Sequence, residues 1–391
     1  MSTGMRARET RQWIWPRVGR LVTAMTAVAL AVGCAWREVR PLTSVAEVRV
    51  LAHGSRAQGD LGFRFQDLSE PLLAELAARE GLPAVVRGES RQFDQLVKLR
   101  DWVASQWPAG TPNPEPPWNA LIVLDWIRAG RTGGFCAQYS QVFLQAAAAL
   151  GFTARYVEIG SRDNPYAHYV TEVWSDDYDK WVVMDADYNV HFERHGTPLS
   201  ALEIRDALLS EAAKQLDVRT TRQRDGHSQL SRWPLRTAEL YYYVRFHLKA
   251  DHLTKPDEPR FDRFNDMVEW DDDLAPAWED GEGASEFPRK RLTQLRTNDR
   301  RLAEPRLNQI FVEPRSTDAG VELHLQHNVR EFREFEYRIS RRGQTGAWRV
   351  LDGDVLHLAP VADGRLDVEI RGVNIRGVHG PSARASVGPV R

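Results

Sequence analysis

Cysteine is scarce in this sequence: its 391 residues include two, Cys34 and Cys136. This scarcity excludes a fold held together by several disulfides, because Cys136 has no internal partner other than Cys34. A lone thiol in an oxidising compartment is a liability unless it is deeply buried or chemically employed. The stretch "TGGFCAQYSQVF", which contains Cys136, therefore raises the question of what this thiol does.

A strong net charge is also missing. The 52 Lys and Arg residues and the 54 Asp and Glu residues leave a formal net charge of -2. Proteins that bind nucleic acid usually carry a basic field, so nucleic acid is not an expected partner. The stretch 252–302 is charged and contains prolines, and we interpret it as a solvated excursion or linker. It includes "EWDDDLAPAWEDGEGASE", which lacks the regular spacing of a calcium loop.

The apolar run near the N-terminus (21–33) is too short to span a bilayer comfortably, and five arginines precede it. Such flanks are typical of a signal peptide. The run ends at Cys34 in "AVGC", which resembles the lipobox of bacterial lipoproteins, although Ala31 stands where leucine is commonest. We expect an exported protein of the bacterial cell envelope, facing the periplasm or the surface and anchored by acyl chains on Cys34. A plain signal peptide and an uncleaved anchor are the alternatives.

Helical periodicity and turn residues divide the next part of the chain. The spacing of apolar residues predicts helices over 68–81, 92–107, 119–130 and 136–150. Three strand-like runs follow, at 153–160, 167–175 and 180–187, and they are rich in Val, Tyr and Trp. A helix that bears a Cys, followed by antiparallel strands, indicates the α+β fold class. The segments "PLSALEIRDALLSEAAKQL" and "RTAELYYYVRFHL" then favour helix again.

The C-terminal part has an all-β pattern. The runs "FEYRIS", "GAWRVL" and "RLDVEIRGVN" alternate, with Gly-containing turns between them. They resemble a fibronectin type III-like or other Ig-like β-sandwich, a module that spreads, docks or positions a partner domain. The predicted organisation is a signal peptide (1–34), a helical lead-in (35–90), a core (91–215), a helical and charged connecting region (216–302) and the sandwich (303–391).

Cys136 meets the first requirement of a nucleophilic thiol. A thiolate forms most easily at a helix N-terminus, where unpaired N–H groups and the helix dipole favour negative charge. Gly133 and Gly134 permit a tight turn and a close approach of substrate, and the predicted helix begins at or beside Cys136. The alternative is a buried packing cysteine, which is the more common fate of a single Cys on an apolar helix.

A thiol of this kind also needs a base and a group that orients the base. His168 opens one predicted strand, and Asp185 stands near the end of the next. Adjacent antiparallel strands joined by a short turn can place two such residues side by side. Asp187 is close enough in sequence to compete with Asp185 for the orienting role.

The three segments "GGFCAQYSQVFLQAAAALGFTARYVEIG", "HYVTEVW" and "KWVVMDAD" together resemble the transglutaminase-like superfamily. That family's pattern has a helix-capping Cys, a "lG-[IF]-x-AR-x-V" step, a His that heads a strand, and "W-V-x-x-D". The middle step is supplied here by Gly151, Ala154, Arg155 and Val157. Trp181 lies four residues before Asp185, as the pattern requires, and this spacing favours Asp185 over Asp187.

This resemblance covers about 90–200 and implies a transglutaminase-like (papain-like) core, in which the Cys helix packs on an antiparallel sheet. It also implies roles: Cys136 as nucleophile, His168 as general base and acid, and Asp185 as the residue that orients the imidazole. One departure is Tyr169 directly after His168, where the family more often has small residues or valine. The oxyanion side chain that some members carry upstream of the cysteine has no assignable position.

The other histidines do not form a recognisable metal site. "HFERH" (191–195) has i, i+4 spacing but lacks the glutamate placement of H-E-x-x-H. The histidines of "HLQH" (324–327) lie in an alternating strand and are expected to point to opposite faces. No cofactor and no resident metal are therefore expected.

A Cys-His-Asp site performs acyl transfer on an amide or ester, with water or an amine as the second nucleophile. We expect a peptidase, an amidase or a transglutaminase-type enzyme that acts on peptides or proteins, with the C-terminal domain available to an envelope protein. The alternative is a scaffold or binding module with the same fold but no catalysis. Deglycosylation is a third hypothesis, for which the sequence offers no groove of exposed tryptophans.

Overall fold

The computed structural model describes residues 46–52, 61–162, 164, 168–220, 238–255, 267–274, 295–359 and 365–390. The predicted signal segment and Cys34 lie outside these residues. None of the helices in the described ranges is both long and apolar enough to cross a membrane.

The described α-helices follow the predicted periodicity closely in the first half of the chain. They are α1 (Pro71–Glu80), α2 (Leu82–Val85), α3 (Gln92–Ala104), α4 (Ala120–Arg128), α5 (Cys136–Ala149), α6 (Ala201–Leu208) and α7 (Arg300–Ala303). Asn119 caps α4, since its side-chain oxygen accepts the N–H of Leu121 at 2.9 Å. Helix α1 ends at Gly81, which adopts the left-handed conformation that glycine tolerates best. The four helices expected before residue 151 are thus confirmed.

The described strands are grouped into four sheets. Those before residue 300 are β1 (Ala46–Ala52), β2 (Ala154–Gly160), β3 (His168–Ser175), β4 (Lys180–Met184), β5 (His191–Arg194), β6 (Thr197–Pro198), β7 (Asp217–Arg219), β8 (Tyr243–His247), β9 (Met267–Trp270) and β10 (Leu295–Thr297). Those after it are β11 (Ile310–Thr317), β12 (Gly320–His327), β13 (Phe332–Arg341), β14 (Gln344–Thr345), β15 (Arg349–Leu351), β16 (Val355–Leu358), β17 (Leu366–Asn374) and β18 (Ala383–Val390).

The central sheet has the strand order β10-β9-β8-β2-β3-β4 and is antiparallel except for the β9–β10 pair. Its register sets Ile159 opposite His168 and Trp174 opposite Trp181. Helix α5 packs against β2 and β3 on one face, and α1, α3 and α4 surround its other sides. The opposite face of the sheet packs against α6. This arrangement confirms the predicted α+β class, with a Cys-bearing helix on an antiparallel sheet.

The segment 236–248, for which the sequence favours a helix, is helical at Ala238 and Glu239 but ends in a strand, β8. The prediction was wrong for the strand because four of the five β8 residues are buried, so it lacks the alternation of apolar and polar residues that marks a half-exposed strand. The same burial places Val244 and Phe246 in the core beneath α6. Of the tyrosine triplet 241–243, Tyr241 is buried in this core.

Two further antiparallel sheets form the C-terminal β-rich region and share one hydrophobic core. One has the order β1-β18-β17-β13-β14, with β15 also paired to β13, and the other has the order β11-β12-β16. The predicted runs "FEYRIS", "GAWRVL" and "RLDVEIRGVN" correspond to β13, β15 and β17. Strand β1, from the predicted helical lead-in, pairs with β18 at the other end of the chain.

The C-terminal sheets contact the helical layer near the C-terminal end of α5. Asn374 donates its side-chain N–H to the carbonyl of Gly151, the residue that follows this helix, at 2.9 Å. Gly151 has φ +92°, and a Cβ there would lie 2.6 Å from the Cβ of Arg376. Gln92 adds a hydrogen bond to the carbonyl of His379 at 2.8 Å. The two parts are thus joined at the end of α5 that lies away from Cys136.

Candidate active site

Cys136 is the first residue of α5 and is 8% exposed. The preceding residue, Phe135, has extended backbone dihedrals, and its N–H is accepted by the side chain of Gln138 at 3.2 Å. The backbone therefore changes from extended to helical between Phe135 and Cys136. N–H groups of the first turn of a helix have no intrahelical acceptor, so they and the helix dipole favour negative charge at this position. The structure places the predicted thiol where the sequence analysis expected it.

The loop before Cys136 is held by close backbone contacts. The N–H of Gly110 donates to the carbonyl of Gly134 at 2.9 Å, and the indole N–H of Trp107 donates to the same oxygen at 3.2 Å. A Cβ at Gly133 would lie 2.6 Å from the carbonyl carbon of Gly110 and 2.6 Å from the oxygen of Thr111. Gly133 therefore lets the loop before Cys136 lie closer to Gly110 and Thr111 than a residue with a Cβ atom would.

His168 and Asp185 form a buried hydrogen-bonded pair. Nε2 of His168 lies 2.8 Å from Oδ2 of Asp185, and each side chain is 3% exposed. This bond leaves Nδ1 as the ring nitrogen for the thiol of Cys136, whose sulfur lies within 4.8 Å of the nearer imidazole nitrogen. The ring of Tyr188 covers the imidazole at a centroid distance of 4.6 Å. The imidazole is thus hydrogen-bonded to the carboxylate and lies within 4.8 Å of the thiol.

Asp185 is fixed by the turn that follows β4. Its backbone N–H and carbonyl both pair with Val190 at 3.0 Å, which closes the turn. Its Oδ1 accepts the backbone N–H groups of Asp187 and Tyr188, each at 3.0 Å. One carboxylate oxygen therefore faces the turn and the other faces His168. Asp187, the competitor identified in the sequence, places a carboxylate oxygen within 4.8 Å of the thiol and the imidazole instead.

The charges in this group favour a protonated imidazole. Burial on its own would lower the pKa of His168. The charge and hydrogen bond of Asp185 outweigh it, with a further contribution from Cys136, so the pKa of His168 lies well above its usual value of 6.5. A protonated His168 next to Cys136 is the arrangement that stabilises a thiolate. The donor types of Cys136, His168 and Asp187 also suit a transition-metal ion, and the expected absence of a resident metal stays a prediction.

A buried polar network behind Asp185 was missed by the sequence analysis. Arg100 of α3 is 0% exposed and donates from Nε to Oδ1 of Asn189 at 2.9 Å and from an NH group to Nδ1 of His191 at 2.5 Å. The available signal was an arginine on the apolar face of a helix, seven residues after Phe93 and four after Leu96. His191, which the motif "HFERH" contains, belongs to this network.

Comparison with known proteins locates a family within this chain. Residues 81–186 match the family model of the transglutaminase-like superfamily, and this range contains Cys136, His168 and Asp185. Among solved structures, red sea bream transglutaminase matches with 11% sequence identity and a TM-score of 0.24. That match covers 83% of this chain and 59% of the fish enzyme, so the chain spans about three fifths of that enzyme's length. No curated protein matches this chain.

Proposed function

From the transglutaminase-like domain that residues 81–186 form, we propose that this protein is a thiol-dependent acyl-transfer enzyme acting on amide bonds of peptides or proteins. The observation that carries the proposal is the ordered contact of thiol, imidazole and carboxylate at the start of α5. Each of these groups has a partner that suits its role, and the carboxylate is held by its own turn.

The proposed reaction begins with attack of the Cys136 thiolate on the carbonyl carbon of the amide. The oxyanion that forms faces the N–H groups of the first turn of α5, which stabilise it. His168 donates its proton to the leaving amine as the C–N bond breaks, which leaves a thioester on the sulfur. A second nucleophile then attacks the thioester and gives its proton to His168, and the carbon–sulfur bond breaks to restore the thiolate.

Asp185 is proposed to hold the imidazole in the tautomer and orientation that this sequence of proton transfers needs. Its bond to Nε2 keeps Nδ1 directed at the thiol, and its negative charge stabilises the imidazolium in the resting state. Phe135, directly before the nucleophile, has a side chain 42% exposed. This ring offers an apolar surface to a peptide chain beside the thiol.

Two outcomes follow for the thioester, and both belong to the proposed class. Attack by water gives a peptidase or an amidase, whereas attack by a lysine amine gives cross-linking or conjugation. Incubation of the enzyme with an amide substrate and increasing concentrations of a primary amine separates the two. A transamidating enzyme diverts the acyl group to the amine in proportion to its concentration, and a strict hydrolase releases only free acid.

The setting proposed from the sequence is the bacterial cell envelope, with lipid on Cys34 and the domains facing the periplasm or the surface. A peptide, protein or peptidoglycan-stem substrate suits such a setting, and an envelope protein is the proposed partner of the C-terminal sheets. The support for the anchor is the arginine-flanked apolar run that ends in "AVGC". Incorporation of a labelled fatty acid, lost in Cys34→Ser, tests this part independently.

The central experiment is the pH dependence of iodoacetamide alkylation in full-length Cys34→Ala protein, in which Cys136 is the sole thiol. An activated pair reacts rapidly well below pH 8.5, the approximate pKa of a free thiol, and His168→Ala loses that acid-side reactivity. Slow alkylation that follows an ordinary thiol, unchanged in His168→Ala, would overturn the proposal. The non-catalytic scaffold would then be the better interpretation of the fold.

A further inference from the structure

We propose that Arg100 is a positioning residue for the catalytic group: it fixes the turn that carries Asp185 by binding Asn189 of that turn. The inference rests on the proposed function, and it concerns a residue two elements away from the thiol in sequence. Arg100 does not touch the imidazole, and it acts through Asn189 and through the charge of Asp185.

The first part of the argument is the geometry of the turn. Asn189 has φ +56°, in the left-handed region that asparagine adopts more readily than most residues. The turn from Asp185 to Val190 needs this conformation in order to close with its two backbone hydrogen bonds. The side chain of Asn189 is 3% exposed, and its oxygen accepts Nε of Arg100. Arg100 therefore ties the turn to helix α3.

The second part is the protonation state that Arg100 imposes on His191. An arginine side chain has only donors, so Nδ1 of His191 must accept the bond from Arg100 with its lone pair. The other ring nitrogen then donates to Oε1 of Glu193 at 3.0 Å. Burial and the adjacent charge of Arg100 lower the pKa of His191 to about 4, which agrees with a neutral ring. His191 therefore contributes no charge to the environment of Asp185.

The third part is the charge balance around Arg100. Burial lowers the pKa of Arg100, and the charges of Asp101 and Asp185 oppose this effect. Asp101 accepts a bond at 3.1 Å but is 18% exposed, so water screens its charge in part. Glu193 lies beyond the neutral His191 and is paired with Arg219 at 3.0 Å. Arg100 is thus a buried cation close enough to Asp185 for the two charges to attract each other, in addition to its hydrogen bond to the turn.

The test compares three variants in the full-length Cys34→Ala background. Arg100→Met removes the charge and all three side-chain hydrogen bonds, whereas Arg100→Lys keeps the charge but lacks the planar guanidinium group that donates in fixed directions. Asn189→Gly removes only the side-chain acceptor and tolerates a positive φ. The matched control is Arg205→Met, because Arg205 is 1% exposed and its bidentate bond to Asp272 lies outside the catalytic group.

The readout is the pH profile of Cys136 alkylation, with the melting temperature measured alongside. We expect Arg100→Met to react about tenfold more slowly at pH 6, with its acid limb shifted upward by at least half a pH unit. Arg100→Lys should keep the position of the acid limb but lose a few-fold in rate, as should Asn189→Gly. Arg205→Met should be less stable and leave the profile unchanged.

The proposal is overturned if Arg100→Met keeps the wild-type profile, or if its change is matched by Arg205→Met at the same loss of stability. If Arg100→Met does not fold, the test rests on the two milder variants, Arg100→Lys and Asn189→Gly. Unchanged alkylation in both of them rejects the positioning role. Failure of the proposed function itself is distinct, because the Cys34→Ala parent would then lack acid-side reactivity and would not respond to His168→Ala.

Discussion

Asp185 and His168 are 17 residues apart in the chain, and Oδ2 of the first lies 2.8 Å from Nε2 of the second. Asp187 places a carboxylate oxygen within 4.8 Å of both the ring and the thiol. Two carboxylates therefore lie near one imidazole, and the hydrogen bond to Asp185 favours that residue for the orienting role. This assignment can be tested directly.

Asp185→Asn should reduce the alkylation rate of Cys136 at pH 6 by about 1,000-fold, because an amide cannot stabilise the imidazolium and selects the wrong tautomer. Asp187→Asn keeps the Asp185–His168 bond and should change the rate by less than about tenfold. Stopped-flow alkylation of the two variants, each in the Cys34→Ala background, measures both values. Equal losses, or a larger loss in Asp187→Asn, would transfer the orienting role to Asp187.

Gly133→Ala should disturb the approach to the nucleophile. The new methyl group would lie 2.6 Å from backbone atoms of Gly110 and Thr111, which cannot move aside without displacing the loop. We expect a loss of about 1–3 kcal/mol in unfolding free energy and at least a tenfold loss in thiol reactivity. Gly110→Ala is the control, since its Cβ would meet Cα of Gly133 at 3.7 Å, an ordinary contact. Similar behaviour of the two variants would contradict the steric argument.

Arg155→Met should be strongly destabilising. Arg155 and Glu172 are both 0% exposed, with bonds of 2.9 and 2.7 Å to one carboxylate oxygen. Removal of the arginine leaves a buried carboxylate, a change that typically costs about 3–5 kcal/mol. The double variant Arg155→Met/Glu172→Gln removes that charge and should be more stable than the single variant in urea unfolding. A double variant that is no better would show that packing of Arg155, rather than its charge, dominates.

Glu304→Gln should stabilise the protein, and more so as pH rises. Burial and the nearby charge of Glu172 raise the pKa of Glu304 to about 7, from its usual 4.5. Between pH 4.5 and pH 7 the carboxyl of Glu304 is protonated in the folded state but ionised in the unfolded state. Glu304 therefore makes folding less favourable as pH rises through this range. The advantage of the variant should be near zero at pH 4.5 and approach about 3 kcal/mol above pH 7. Urea unfolding at several pH values measures it.

The matched control for that experiment is Glu313→Gln, on an exposed part of β11 where the side chain is 63% exposed. Its unfolding free energy should follow that of the wild type at every pH. A pH-independent difference between Glu304→Gln and the wild type would mean that the pKa of Glu304 is the same in the folded and unfolded states, and it would contradict the prediction.

Much of the candidate site could be predicted from the sequence because its signals are local. Glycines before a Cys at a helix start, and a His and an Asp on neighbouring strands, need only one helix and one hairpin to meet. Arg100 could not be assigned in this way, since its partners lie 89 and 91 residues further along the chain. An arginine on an apolar helix face indicates a buried ion pair or network without naming the partner.

The fold shows the same limit. Helices α1, α3, α4 and α5 show the 3.6-residue period and were predicted with ends within three residues of those observed. The four-residue helix α2 is too short to show a period and was not predicted. Strand β8 is buried along most of its length, and no period distinguishes such a run from a buried helix. Strand β1 pairs with β18, which joins the two ends of the described chain. The stretch that contains β1 has a mixed pattern of apolar and polar residues, and such a pattern does not specify the register of a pairing by itself.

The attachment of the C-terminal sheets at Gly151 also sets the distance between those sheets and the thiol of Cys136. Helix α5 has 14 residues and is therefore about 21 Å long, with the thiol at one end and Asn374 bound just beyond the other. Six fully extended residues span about this distance. The junction with the C-terminal sheets and the sulfur are thus separated by the full length of one helix, so a change at the junction reaches the thiol only through α5 and the elements packed on it.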